Sequence, residues 1–151
     1  MSAQLTLRGI CTLSLWADDV AAAGAWYTDL LGVAPYYARP EPPEPPGYLE
    51  FRLGDHETEL GIIDRRYTLP GLRAGEPGGI VAYWAVDDVE QALATFLAAG
   101  ATPLQPLTEY GPGFVTAAVV DPFGNVIGLM YNQHYLDDVD AGATGDPVPE
   151  H

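Results

Sequence analysis

Lysine is missing from this chain. Its 151 residues hold six basic side chains, all of them arginine and none beyond Arg73, against 21 acidic ones, for a formal charge of −15. Nucleic acid and anionic membranes are poor partners for such a surface, because binding phosphate requires lysine or arginine to neutralise it. A cationic small molecule would be attracted, while the plain alternative is a charge that serves solubility. Cysteine is nearly missing too. The single Cys11 excludes an intrachain disulfide and any multi-cysteine zinc or iron–sulfur site. It alternates with Thr12 on a strand-like run and reads as a small core hydrophobe. No apolar run approaches the roughly 20 residues that span a bilayer. The N-terminal MSAQLTLRGI has no basic segment leading into a long apolar one, so a cytoplasmic location is expected.

The chain does have apolar content, 48% against 18% charged. At this length that suits one domain with a sizeable core. An internal repeat organises it. Leu13–Val20 reads LSLWADDV and Ala82–Val89 reads AYWAVDDV, each followed by a helical stretch that stops at a glycine, Gly32 or Gly100. Asp18 or Asp19, and Asp87 or Asp88, can accept hydrogen bonds from the free amides of the first helical turn. Val20, Ala23, Tyr27, Leu30 and Leu31 form one helical stripe, and Val89, Ala92, Phe96 and Leu97 another. The glycines suit left-handed caps.

Strand-like runs follow each helix: 34–38, 48–53 and 57–64 in the first half, 102–106, 114–120 and 126–131 in the second. The proline-rich RPEPPEPPG between Arg39 and Gly47 reads as a stiff excursion between strands. Asp121-Pro-Phe-Gly124 reads as a turn. The expected fold class is therefore α+β, with two β-α-β-β-β modules at about 8–66 and 78–132 in a single domain, 1–136. An acidic, loose tail follows at 137–151. Half a sheet with one helix leaves a face uncovered, so the halves should pair with each other or with a second copy.

These features resemble the vicinal-oxygen-chelate superfamily, which includes glyoxalase, bleomycin-resistance and extradiol dioxygenase proteins. The residues that carry the likeness are the repeated strand–Asp-Asp-Val–helix units, Trp26-Tyr27 with Leu31-Gly32, and DPFGNVIGLM from Asp121 to Met130. The resemblance implies a curled mixed sheet with a cup-shaped groove and helices outside, and it favours a homodimer. It also implies where metal-dependent members keep their ligands. Those positions fall here on Thr12, Val81 and Gly128, which are poor or impossible ligands. No metal and no cofactor are expected. His56, beside Asp55, Glu57 and Glu59, reads as part of a solvated strand and loop, and His134 and His151 lie after the last strand.

Strand alternation, matched to the family's ligand positions, gives a groove lined by Thr12, Ser14, Trp16, Phe51, Glu59, Val81, Tyr83, Phe114, Gly128 and Met130. Such a lining suits a planar or bulky hydrophobic ligand. The plain alternative for each is ordinary sheet core. The resulting expectation is a metal-free small-molecule binder of the bleomycin-resistance type, holding a hydrophobic or aromatic, or cationic, antibiotic or metabolite. The alternative is a metal-independent isomerase, lyase or cyclisation enzyme using Glu59, Tyr83 or Tyr110 as acid or base. A metal-dependent glyoxalase or dioxygenase ranks below both.

Overall fold

In a computed structural model of the chain, residues 10, 12–67 and 81–143 are described. Cys11 and His151 lie outside them, as do residues 144–151 of the expected tail. The chain divides into two compact units, with a boundary next to residue 68.

The first unit opens with β1 (Thr12–Ala17) and α1 (Val20–Leu31) and continues through β2 (Tyr37–Arg39), β3 (Tyr48–Leu53) and β4 (Thr58–Asp64). Of the two candidate aspartates, Asp19 caps α1, its side chain accepting from the Ala22 amide at 2.9 Å. Gly32 ends the helix in the left-handed region (φ 67°), where its amide donates to the Thr28 carbonyl at 2.9 Å. Val20, Ala23, Gly24 and Tyr27 form the buried stripe of α1, with Leu30 and Leu31 half-buried beside it. Gly24 is needed for this contact, because a Cβ there would stand 2.3 Å from Leu49 Cδ1.

The sheet order is β1-β4-β3-β2, with β1 and β4 parallel and the other pairs antiparallel. Leu49, Phe51, Leu60 and Ile62 are buried on one face, toward α1. Each of the larger ones contributes roughly 1.5–3 kcal/mol by leaving water. β2 begins at Tyr37, later than the expected 34–38. Pro35 has no amide to donate, and regular pairing starts only after the Tyr36 amide reaches the Glu50 carbonyl at 3.0 Å.

The second unit repeats this plan. It runs β5 (Tyr83–Ala85), α2 (Val89–Ala98), β6 (Thr102–Gly111), β7 (Phe114–Val120) and β8 (Val126–Asn132), with sheet order β5-β8-β7-β6. Asp88 caps α2 through the Gln91 amide at 3.0 Å. The cap at the other end is Ala99 in a right-handed conformation, with Gly100 (φ 108°) one residue further on. Leu97, expected on the buried stripe, is exposed. The Asp121–Gly124 turn joins β7 to β8, and its buried Asp121 accepts from the Phe123 and Asn125 amides and from Asn125 Nδ2 at 2.8–2.9 Å.

A third helix, α3 (Gln133–Ala143), replaces the first part of the expected loose tail. Asn132 starts it by accepting from the Tyr135 amide at 3.2 Å. Both sheets are mixed and the architecture is α+β, as the sequence suggested. No helix among the described residues is long and apolar enough to cross a membrane.

Candidate functional site

Each sheet has a second face, turned away from its helix. In the first unit the strand register places Thr12 opposite Glu59, Ser14 opposite Gly61 and Trp16 opposite Ile63. From the other side it places Arg52 opposite Glu59, Glu50 opposite Gly61 and Tyr48 opposite Ile63. All of these side chains therefore share one face. Phe51 does not. It alternates with Glu50 and Arg52, so it points to the helix side, where it is fully buried. The expectation that it lines a ligand groove is corrected on that ground.

The open face of the first unit is built around two carboxylates. Glu50 is 9% exposed and accepts from two phenols: Tyr36 on Oε1 in a very short hydrogen bond, and Tyr48 on Oε2 at 2.5 Å. Glu59 accepts from the Thr12 hydroxyl on Oε2 at 3.1 Å. The Tyr36 oxygen also lies 3.1 Å from Glu59 Oε1, so one phenol proton faces both carboxylates. Tyr48 reaches Glu50 by lying across Gly61, where a Cβ would come within 2.7 Å of its hydroxyl oxygen. Arg52 completes the group, its Nη2 3.8 Å from Glu59 Oε1 and its guanidinium carbon 4.2 Å from the centre of the Tyr36 ring.

The electrostatics follow from these bonds. The Tyr36 and Tyr48 hydroxyls hold the Glu50 carboxyl below the usual carboxylate range, overriding the opposing effect of burial. In return the Tyr36 phenol is pushed up to about 12, chiefly by its bond to Glu50. Tyr48 moves the same way, with desolvation the larger cause and Glu50 the next. Both phenols thus stay protonated and act as donors. A buried ionised carboxylate is tolerable because its oxygens are satisfied.

The second unit's open face differs. Tyr83 pairs with Gly128, Met130 with Thr116, and Phe114 with Asn132. Tyr83 is 43% exposed, and its ring fills the space above Gly128, where a Cβ would meet Tyr83 Cδ1 at 2.6 Å. The missing side chain at Gly128 therefore seats a tyrosine, where the sequence suggested room for a ligand. Val81 is exposed just before β5. Tyr110 is exposed, stacks edge-on against Phe114 and accepts from Gln105 Nε2 at 3.2 Å. On the helix side of this unit a shallow cavity of about 310 Å³ is walled by Asp87, Asp88, Glu90, Glu109, Leu107 and Tyr131, among others.

Sequence reasoning found Thr12, Ser14, Trp16 and Glu59 on the first open face, and Tyr83, Phe114, Gly128 and Met130 on the second. It missed Glu50, Tyr48, Tyr36 and Arg52. The signal for three of these was present in the polar alternation Tyr48, Glu50, Arg52 along β3.

The residues at the three family ligand positions do not fit a divalent metal. Thr12 offers only a neutral hydroxyl, a weak donor to such a metal, Val81 is aliphatic, and Gly128 lies beneath the Tyr83 ring. Among the described residues no group of three or more histidine, cysteine, aspartate or glutamate side chains is arranged to hold a metal ion.

Comparison with known proteins agrees with this architecture. A glyoxalase-related enzyme from Fulvimarina pelagi superposes with a TM-score of 0.64 at 18% identity, over 83% of this chain and 89% of that one. TioX from Micromonospora sp. ML1 gives 0.64 at 19% identity, over 82% and 98%. Lactoylglutathione lyase from Agrobacterium tumefaciens gives 0.58 at 24% identity, over 83% and 94%. Among curated proteins none matches in sequence. A family profile matches residues 9–129, and the chain belongs to the Glyoxalase/Bleomycin resistance protein/Dioxygenase superfamily.

Proposed function

We propose that the protein holds a planar, positively charged small molecule on the open face of its first unit and releases it unchanged. The observation that carries this reading is the pair Glu50 and Glu59, set among tyrosine rings on a sheet face with a single arginine beside them. Two carboxylates attract a cation, and the ring of Tyr36, with Trp16 on the same face, offers the flat electron-rich surface on which organic cations rest. The acidic charge of the whole chain would add to the attraction. Sequestration of this kind is metal-free, in keeping with the poor donor set at Thr12, Val81 and Gly128.

One named relative is a lyase, which keeps catalysis as the competing reading. The same hydrogen bonds argue against acid–base work by this cluster near neutral pH. A general base works best with a pKa near the operating pH, and Glu50 is held lower still than an ordinary carboxylate. Tyr36, at about 12, is displaced in the opposite direction.

Calorimetric titration with N-methylquinolinium and its uncharged isostere methylnaphthalene tests the reading. The cation should bind, the neutral compound should bind far more weakly, and Glu59→Gln should weaken the cation about five- to tenfold. Ligand recovered after incubation should be chemically intact. Equal binding of both compounds, or conversion of the bound one, would overturn it.

A further inference from the structure

The open face of the first unit already carries a cation of its own. The Arg52 guanidinium lies 4.2 Å above the Tyr36 ring centre and 3.8 Å from Glu59 Oε1. These are the two kinds of group, an aromatic face and a carboxylate edge, that the proposed ligand needs. The hold of Arg52 on the carboxylate is nevertheless loose. At 3.8 Å its contact with Glu59 is longer than a hydrogen bond, and its side chain is 49% exposed. Elsewhere in the same unit Arg66 closes on Asp64 at 2.7 Å and Arg65 on Asp18 at 2.9 Å, while Arg39 stands 3.9 Å from Glu41.

We infer that Arg52 is an internal competitor: it occupies the cation seat formed by Tyr36 and Glu59, and the ligand is a flat amidinium or guanidinium-type ion that enters by displacing it. This rests on the reading of this face as a cation site and deepens it. The preference for a flat ion with N–H groups at its edge follows from the acceptors. Both oxygens of Glu50 are engaged by Tyr36 and Tyr48, and Glu59 Oε2 receives Thr12. Glu59 Oε1, the oxygen nearest Arg52, receives the longer Tyr36 contact at 3.1 Å and, among the described residues, keeps capacity for an incoming N–H. An ion that stacks on the ring and points an N–H at that oxygen meets both groups at once, as a guanidinium does and a tetrahedral ammonium does not. Displacement is cheap because an exposed, long ion pair contributes little. It also conserves charge, since one cation replaces another beside the same two carboxylates.

The consequence runs against the usual expectation for a binding-site residue: removing Arg52 should tighten binding. Titrating the full chain with benzamidine, benzamide and benzoate tests this. Arg52→Gln should bind benzamidine about three- to tenfold more tightly than the unaltered protein, with benzamide unchanged. Benzoate should bind neither protein. If the unaltered chain binds N-methylquinolinium but Arg52→Gln gains nothing for benzamidine, the competitor role is wrong and the cation site stands. If benzoate binds and Arg52→Gln abolishes it, Arg52 is an anion receptor and the inference is overturned. If neither cation binds either protein, the reading of the face fails and the inference goes with it. Arg52→Lys, which keeps the charge but not the flat stacking group, should fall between the two proteins in benzamidine affinity. An affinity below that of the unaltered chain would contradict competition.

Discussion

Two phenol hydroxyls on one carboxylate make Glu50 a stronger acid than an isolated glutamate, and each phenol a weaker acid than free tyrosine. Both shifts have consequences for stability against pH. The folded Glu50 pKa lies below its unfolded value of about 4.3. Its contribution is therefore present above that pH and is lost as pH falls through the lowered folded value. For Tyr36 the folded value lies above the unfolded one, about 10. That contribution is complete below pH 10 and is lost as pH rises toward about 12. Urea unfolding across pH should show both flanks, and Glu50→Gln should flatten both. Ultraviolet absorbance of the phenolates should then show Tyr36 and Tyr48 ionising nearer the ordinary phenol range. Much of this cluster was legible in the sequence. Tyr48, Glu50 and Arg52 alternate with Leu49, Phe51 and Leu53, which by itself assigns Phe51 to the opposite face from Glu50. What was not legible is that Glu50 arrives beside Gly61 and diagonal to Glu59. Pairing register between strands is set by hydrogen bonds and turn lengths that no local pattern spells out.

At the scale of elements, the aspartate pairs before α1 and α2 leave a choice that the structure resolves. Asp19 and Asp88 accept from amides three residues on, at 2.9 and 3.0 Å. Asp18 instead pairs with Arg65, its own side chain 85% exposed and that of Arg65 18%. Asp19→Ala and Asp88→Ala should each lower unfolding free energy by about 1 kcal/mol. Asp18→Ala should cost less than either cap, since Asp18 is itself solvent-exposed and caps no amide of the helix. Chemical denaturation of the set checks the ranking. A loss at Asp18 equal to that at Asp19 would put the cap in the wrong place. The helices α1 and α2 and strands β3, β7 and β8 were readable because their periodicity and end signals agree. α3 was not, since DDVDAGA contains glycine and several aspartates, both poor in helix interiors. Its start was nevertheless marked by Asn132, three residues ahead of the amide it receives.

For the molecule as a whole, the repeat yields two units with the same strand order and different open faces. One carries carboxylates and phenols; the other carries Tyr83 over Gly128, with Phe114 and Met130 on the same face. The likeness was legible because helix caps and turns recur at nearly constant spacing. The divergence was not, because it depends on which side chains meet across strands. The unequal division of charge has a practical outcome. Every peptide bond that trypsin can cut follows an arginine at or before position 73, while among the described residues the second unit's strands and helices begin at Tyr83. Digestion should therefore spare residues 74–151 as one intact fragment. If this unit carries its own core, the fragment should keep a cooperative melting transition by circular dichroism; a featureless melt would show that the duplicated halves are obligate companions.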